Sequence, residues 1–301
     1  MQRDWLIGLA ILAFALPARA SDASDCHQEE DMKLAISGCT ALILKEPGAA
    51  SAYVARGDAY RATGDVNRAL ADYAKALEID PGDAEAYYRR GAAYRKQNDP
   101  SRAVADYTKA VEIDPKLYGA YFARAEVYRE KGDFSRALVD YDAAIGLNPR
   151  ATWAYLARGA VFMAKGEPAR AVADYTKAIE INPRGADAYF ARGNAFRDMG
   201  SFEKAVADYT RVIEVRPKDA DAYNNRAWAY YSMGDPVRAL EDAGKALQIR
   251  PYDPDVLDTR AHVLEILGRR PEAILDYERA LRLNPDIEGS KEGLKRLGAM
   301  H

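Results

Sequence analysis

Apolar residues recur along this chain at helical spacing, in a pattern that repeats every 34 residues. Each period opens with a stripe at positions i, i+4 and i+7, such as Tyr53, Gly57 and Tyr60. A second stripe follows with the same spacing. In all seven periods this second stripe begins on alanine: Ala69, Ala103, Ala137, Ala171, Ala205, Ala239 and Ala273. The pattern predicts seven pairs of short amphipathic helices.

The ends of these helices are marked by turn-forming residues. Eight prolines stand 34 residues apart: Pro47, Pro81, Pro115, Pro149, Pro183, Pro217, Pro251 and Pro285. Each should end a second helix, because the residue before a proline disfavours the helical conformation. Between the two helices lies a residue that tolerates a left-handed turn: Gly64, Asn98, Gly132, Gly166, Gly200, Gly234 and Gly268. A strict period of this size predicts one array of helix pairs.

Small and aromatic positions alternate within each period. Tyrosine occupies the Tyr73 position in six periods, with Ala243 as the exception. Periods such as the one carrying Tyr87, Gly91, Tyr94, Ala103, Tyr107, Ala110 and Pro115 resemble tetratricopeptide repeats. The resemblance covers residues 48–285 and implies an all-α fold, a right-handed superhelical solenoid of antiparallel helix pairs. It also implies that the first helices line a concave groove, which in this family binds an extended peptide or a partner's helix.

Residues 1–20 have the features of a signal peptide. Arg3 supplies a positive start, residues 5–16 form an apolar run, and residues 18–20 form an A-x-A cleavage site. The run is shorter than the roughly 20 residues that span a membrane. We therefore expect an exported, periplasmic protein with no stable membrane insertion after cleavage. Retention of the signal as an anchor is the alternative.

Residues 21–47 continue the register for half a period and predict an N-terminal cap. The chain's two cysteines, Cys26 and Cys39, take the places of Tyr60 and Tyr73, which belong to the packing stripes of opposite helices. An oxidising compartment would let them form a disulfide, and the alternative is two unpaired small apolar residues. At the other end, residues 286–301 predict a C-terminal cap helix.

Candidate chemistry is sparse. The net charge of −3 gives no electrostatic reason to expect nucleic acid as a partner. His27, His262 and His301 lack metal-ligand spacing, and His262 is expected to be a surface residue. The carboxylates recur at repeat spacing and define no unique pair. We therefore expect no enzyme activity, no metal and no cofactor.

Arginine and aspartate each recur once in every period. The arginines are Arg56, Arg90, Arg124, Arg158, Arg192, Arg226 and Arg260. The aspartates are Asp72, Asp106, Asp140, Asp174, Asp208, Asp242 and Asp276. Each lies beside a core stripe, so we expect a half-buried structural ion pair in every repeat. A charged ladder for a ligand is the alternative.

By the resemblance, the first-helix residues one and eight places after each period's first aromatic face the groove. With the tryptophans and asparagine that the repeat does not require, they give the candidate partner-binding residues Tyr88, Arg95, Phe122, Arg129, Trp153, Phe190, Arg197, Asn224, Trp228 and Tyr231. Aromatic and arginine side chains dominate binding interfaces. They predict a groove for an extended segment with apolar side chains and some acidic character. Packing between neighbouring repeats is the alternative.

These features predict a non-catalytic scaffold or adaptor of the cell envelope with a protein or peptide as its partner. Two other functions stay open. The groove could carry a small solute or a glycan fragment, or the chain could be the accessory subunit of an envelope enzyme whose catalytic domain is a separate chain.

Overall fold

The computed structural model describes residues 25, 26, 28 and 31–299, which contain helices and no strand. The expected signal peptide, residues 1–20, lies outside them. Sixteen helices lie between Met32 and Arg296: α1 Met32–Lys45, α2 Ala50–Ala62, α3 Val66–Ile79, α4 Ala84–Lys96, α5 Pro100–Ile113, α6 Tyr118–Glu130, α7 Phe134–Leu147, α8 Thr152–Ala164, α9 Pro168–Ile181, α10 Ala186–Asp198, α11 Phe202–Val215, α12 Ala220–Ser232, α13 Pro236–Ile249, α14 Pro254–Ile266, α15 Arg270–Leu283 and α16 Glu288–Arg296. The expected all-α fold is confirmed.

The helices divide into two compact parts, one ending at Val127 and the other beginning at Tyr128. Within each part the two helices of a repeat pack against each other, as in α4 with α5 and α12 with α13. Successive first helices are also in contact, as in α10 with α12 and α12 with α14. Three-residue links between contacting helices of 13 and 14 residues make each pair an antiparallel hairpin.

The turn within each hairpin follows the sequence prediction. The glycines at these turns have positive φ values of 70° to 88°, and Asn98 adopts φ 59°. Asp65, Asp99, Asp133 and Asp235 then cap the second helix by accepting a bond from the backbone N–H three residues later. Ser201 occupies the same position but makes no side-chain cap bond. The left-handed backbone conformation is therefore common to these turns, whereas the side-chain cap is present in only some of them.

A tyrosine fills the space between the two helices of most repeats. Tyr73, Tyr107, Tyr141, Tyr209 and Tyr277 are all at most 1% exposed. In repeat 5 a Cβ atom built on Gly193 would lie 2.8 Å from Cε1 of Tyr209. Glycine thus lets the first helix approach the ring closely, which is the packing that the small and aromatic positions predicted.

The arginine and aspartate of one repeat form a bidentate ion pair in six repeats. The Nε and Nη2 atoms of the arginine donate to the two carboxylate oxygens at 2.6–2.8 Å. The six pairs are Arg56–Asp72, Arg90–Asp106, Arg158–Asp174, Arg192–Asp208, Arg226–Asp242 and Arg260–Asp276. The aspartates are buried, which agrees with a structural pair and not with an open charged ladder.

The same arginines also join neighbouring repeats. In five cases Nη1 donates, over 2.5–3.1 Å, to a side chain on the second helix of the preceding repeat. These acceptors are Thr40, Thr108, Asp142, Thr176 and Thr210. Arg90 and Arg260 lack this bond because the corresponding residues are Ala74 and Gly244. This second link was not anticipated from the sequence.

A disulfide closes the N-terminal end of the described chain. The sulfurs of Cys26 and Cys39 are bonded, and their Cα atoms lie 4.3 Å apart. Both residues are buried, and they pack with Ala52 and Tyr53 of α2. Gly38 stands where the repeats carry the paired aspartate, and a Cβ atom there would lie 2.6 Å from Cβ of Asp25. The half-repeat thus gives up the ion pair to make room for the segment that holds Cys26.

At the C-terminal end α16 covers the last repeat. Leu294 is 5% exposed and packs with Leu264 and Tyr277. Arg296 on the same helix donates two bonds to Glu265 on α14. The helix therefore shields the apolar surface of α14 and α15.

Candidate functional site

The first-helix face of the last three repeats, formed by α10, α12 and α14, carries side chains that the repeat does not require. A recess of about 610 Å³ opens on it. We call it the Trp228 recess, and its lining residues are Trp228, Tyr231, His262, Glu265, Ile266 and Arg296. Trp228 and Tyr231 are three residues apart on α12, so both point to the same side of the helix.

At this recess the ring of His262 is surrounded by the rings of Trp228, Tyr231 and Tyr277. The ring centroid of His262 lies 5.9 Å from that of Trp228, 6.2 Å from that of Tyr231 and 5.1 Å from that of Tyr277. The rings of Trp228 and Tyr231 lie 5.2 Å apart. Edge-to-face contacts of this kind stabilise aromatic clusters and hold their rings in fixed orientations. The recess therefore presents a prearranged set of aromatic rings.

His262 lines the recess, although the sequence did not single it out as a groove residue. Its side chain is only 12% exposed, so the expectation of a surface histidine was wrong. Nδ1 lies within hydrogen-bond distance, 2.9 Å, of the backbone oxygen of Asp258. The repeat register places His262 in line with Trp228, four residues after a groove position. That column of the register was the signal that could have identified it.

Ionisable groups at the base of the recess are tied to one another. Glu265 accepts a bond of 2.7 Å from the hydroxyl of Tyr277 and two bonds from Arg296. The bonds from Arg296 hold the pKa of Glu265 below its usual value. Burial and the neighbouring carboxylate raise the pKa of Tyr277. These contacts tie Tyr277 and Arg296 to Glu265 and so hold the side chains beside the aromatic rings in place.

A smaller polar recess of about 240 Å³ adjoins Trp228. Its other lining residues are Arg197, Asn224, Asn225, Asp255, Asp258 and Thr259. Burial raises the pKa of Asp258, although the hydroxyl of Ser290 donates to it at 2.6 Å. Oδ1 of Asn224 is buried without a hydrogen-bond partner. Polar groups therefore flank the aromatic surface.

Arg197 is less available than the sequence suggested. Its Nη2 donates to Asp198 at 3.0 Å, and its Nη1 lies 3.5 Å from Oδ1 of Asn225. Asn225 in turn donates to Asn194 at 3.1 Å. Arg197 thus belongs to a polar network between α10 and α12. Its charge is partly neutralised before any partner arrives.

The structure places four of the ten sequence-predicted residues, Arg197, Asn224, Trp228 and Tyr231, in these two adjoining recesses. Phe190, one repeat earlier, is half-buried, and its ring lies 5.9 Å from that of Tyr209. It therefore serves at least partly as packing, the alternative that the sequence left open. Trp153, at the start of α8, is 39% exposed and lies outside both recesses. Arg129, near the end of α6, is half-buried.

The remaining three lie in the N-terminal part. Tyr88 packs its ring 5.9 Å from that of Tyr107, as Phe190 does on Tyr209. Nη2 of Arg95 lies 3.8 Å from a carboxylate oxygen of Glu126. Phe122 is half-buried on α6. Tyr88 and Phe190 thus each lie against the buried tyrosine of their own repeat.

A separate recess of about 370 Å³ lies on the first-helix side of the N-terminal part. Its polar walls are Asp58, Arg61 and Arg89, and Cys26 lies at its edge. Asp58 pairs with Arg89 and accepts a bond from the hydroxyl of Tyr73 at 2.7 Å. Both arginines lie within ion-pair distance of Asp58, and no aromatic ring is among its described lining residues, so it is a weaker candidate than the Trp228 recess.

Comparison with known families decides which architecture this is. Models described as "TPR repeat" match residues 57–98, 125–166, 161–200 and 193–234. Models described as "Tetratricopeptide repeat" match residues 84–117, 106–139, 220–253 and 254–287. The chain belongs to the tetratricopeptide repeat family. Tetratricopeptide proteins are generally non-catalytic scaffolds, and membership implies a role in protein–protein interaction for this chain.

Solved tetratricopeptide structures resemble the chain. YrrB, a "TPR protein with an unusual peptide-binding site", is 27% identical over 62% of this chain and 95% of its own, with a TM-score of 0.56. MamA is 29% identical over 55% of this chain and 96% of its own, with a TM-score of 0.52. PilF of Pseudomonas aeruginosa, 19% identical over 71% of this chain and 97% of its own with a TM-score of 0.60, shares the fold. No curated protein matches the sequence.

In the part of the chain that the structure describes, no group of three or more His, Cys, Asp or Glu side chains is arranged to hold a metal ion. None of the described helices is long and apolar enough to cross a membrane. The aromatic and polar recesses around Trp228 bring together the largest number of the sequence-predicted residues.

Proposed function

We propose that this protein is a non-catalytic interaction scaffold of the cell envelope, and that it holds an extended segment of a partner protein against the Trp228 recess. The observation that carries the proposal is the cluster of Trp228, Tyr231 and His262, which presents fixed aromatic rings on the first-helix face. Aromatic residues in such positions supply most of the binding energy of protein interfaces.

The walls of the recess favour an apolar or aromatic side chain as the anchor of the partner. Ile266 at its rim is 59% exposed, so the recess opens to solvent and suits a segment that lies across it. An enclosed cavity would suit a small solute better. The polar recess beside it, with Asn224 and Asp258, would accept the N–H groups of the adjoining peptide backbone.

Export is supported by two features of the sequence and the N-terminal fold. The signal-like segment at residues 1–20 directs a chain out of the cytoplasm. The disulfide between Cys26 and Cys39 is of a kind that persists in an oxidising compartment. We therefore place the scaffold in the periplasm.

The test is a photo-crosslinking residue placed in living cells at Ile266, with a control at Val139. Val139 lies on α7, away from the recess, and is 67% exposed, so it is equally accessible to a passing protein. We expect a discrete adduct from Ile266 and none from Val139. Adducts from Val139 alone would move the interaction to the second-helix face and contradict the proposal.

Once the adduct identifies the partner segment, the matching synthetic peptide can be titrated against purified variants. Trp228→Ala should weaken binding about 30-fold, since hot-spot truncations cost about 2 kcal/mol or more. Tyr252→Ala is the control, because Tyr252 is 75% exposed and lines neither recess. Equal affinities for the two variants would show that the aromatic cluster is not part of the interface.

A further inference from the structure

Arg260 differs from the other arginines of the ion-pair series. Its side chain is 27% exposed, whereas those of Arg56, Arg90, Arg158, Arg192 and Arg226 are 16–20% exposed. It keeps the bidentate pair with Asp276. Its Nη1 atom has no partner among the described residues, whereas Nη1 of Arg226 donates to Thr210 at 2.9 Å.

Two departures from the repeat explain this difference. Gly244 stands where Thr210 stands one repeat earlier, so the acceptor for Nη1 is missing. Leu257 stands where the other repeats carry tyrosine. In those repeats the guanidinium lies 5.4–5.8 Å from the tyrosine ring centroid. Arg260 has therefore lost two of the three contacts that occupy its counterparts.

A recess lies beside Gly244 and Arg260 on the second-helix side of the last two repeats. It has a volume of about 310 Å³ and is lined by residues of α13, α14 and α15. Three leucines form its apolar walls: Leu240, Leu264 and Leu275. Leu275 is 52% exposed, which places an aliphatic side chain at the mouth of the recess.

The charges that line the recess do not balance. The arginines are Arg260, Arg269 and Arg279, and the carboxylates are Glu272 and Asp276. Arg269 and Glu272 form a bidentate pair at 2.7 Å. Asp276 alone faces both Arg260 and Arg279, the latter at 3.5 Å. Three arginines against two carboxylates leave one positive charge, and Nη1 of Arg260 is a free donor beside it.

We propose that this recess binds the carboxyl-terminal leucine of a second partner segment. The carboxylate accepts from Nη1 of Arg260 and offsets the unbalanced charge. The aliphatic group lies against Leu240 and Leu275. Arginine suits this role because its planar group binds carboxylates in defined geometry.

The site is separate from the proposed function. It lies on α13, α15 and the face of α14 that carries Arg260 and Leu264. The Trp228 recess lies on α12, α16 and the face of α14 that carries His262. The two recesses share no lining residue. A scaffold with both sites would hold one segment on each side of its last repeats. Failure of either proposal leaves the other intact.

The probe is N-acetyl-leucine, titrated into the purified full chain while the NMR signals of the arginine Nε–H groups are recorded. The signal of Arg260 is assigned by its loss in Arg260→Lys. We expect it to shift and saturate with N-acetyl-leucine and to stay in place with N-acetylleucinamide, which keeps the side chain but has no charge. No shift, or the same shift with the amide, would contradict the proposal that the recess recognises a carboxylate.

Gly244→Thr gives the decisive variant, because it restores the acceptor that the other repeats have. A Cβ atom at Gly244 meets no atom within 4 Å, so the threonine fits and the variant should fold at least as well as the natural chain. We expect the dissociation constant of N-acetyl-leucine to rise at least about tenfold, a loss of about 1.4 kcal/mol. Ala74→Thr, which adds the same residue beside Arg90, should leave it unchanged. Unweakened binding by Gly244→Thr would overturn the assignment to Arg260.

Discussion

Replacing Asp208 with asparagine is expected to lower the free energy of unfolding by about 3–5 kcal/mol, although the change alters one atom. The carboxylate is buried and accepts two bonds of 2.8 Å from Arg192. Asparagine cannot balance the charge of this guanidinium, whose side chain is only 18% exposed. Chemical denaturation followed by circular dichroism measures the loss.

The contribution of the pair itself is a different quantity, and a double-mutant cycle separates the two. Arg192→Leu combined with Asp208→Asn removes both charges. We expect the double variant to be no less stable than Asp208→Asn alone, because the unpaired charge is what destabilises the fold. Additive losses would mean that the two side chains act independently. The bidentate geometry would then contribute nothing to the free energy of unfolding.

Reduction of the disulfide is expected to destabilise the N-terminal end by about 3 kcal/mol. The bond joins residues 13 apart, and closing a loop of this size restricts the unfolded chain by about that amount. Since Cys26 and Cys39 pack on Ala52 and Tyr53, the loss should appear in α1 and α2. Hydrogen exchange measured with and without a reductant locates the effect.

The control for this experiment lies within the same chain. Helices α14 and α15 contain no cysteine and belong to the other compact part. Repeat proteins couple mainly to their nearest neighbours, so their exchange rates should not change on reduction. Cys26→Ala combined with Cys39→Ala should reproduce the reduced state. If α1 stays fully protected in both cases, the half-repeat is held by packing alone.

The fold could be predicted from the sequence because the same residue types recur at the same positions in every repeat. Helix ends followed from the prolines and from the glycines or asparagine between helices, and the pairing of Arg192 with Asp208 followed from their fixed positions beside the core. The link from Arg192 to Thr176 was missed because it joins different repeats. Its partner varies among threonine, aspartate, alanine and glycine. A position that varies between repeats gives no sequence pattern, so its contact with the arginine became evident only in the structure.

The candidate site was predictable only in part. Trp228 and Tyr231 depart visibly from the repeat, and both line the recess. Tyr88 and Phe190 share the same register, yet they pack over a buried tyrosine. The position of a residue in the repeat predicts which face of the helix it lies on. It does not predict the distance from its ring to neighbouring side chains, and that distance decides whether the ring is packed or open to solvent. His262 was misjudged for the same reason.

The Arg192–Thr176 link also bears on how the array could change in length. The same contact recurs one repeat later, where Arg226 bonds to Thr210. Deleting residues 184–217 would bring Thr176 opposite Arg226 and re-form the same arginine–threonine bond. This contact would therefore survive the loss or duplication of one interior repeat of this region. The junction at Gly244 has no such match, so the final repeat is a specialised end piece.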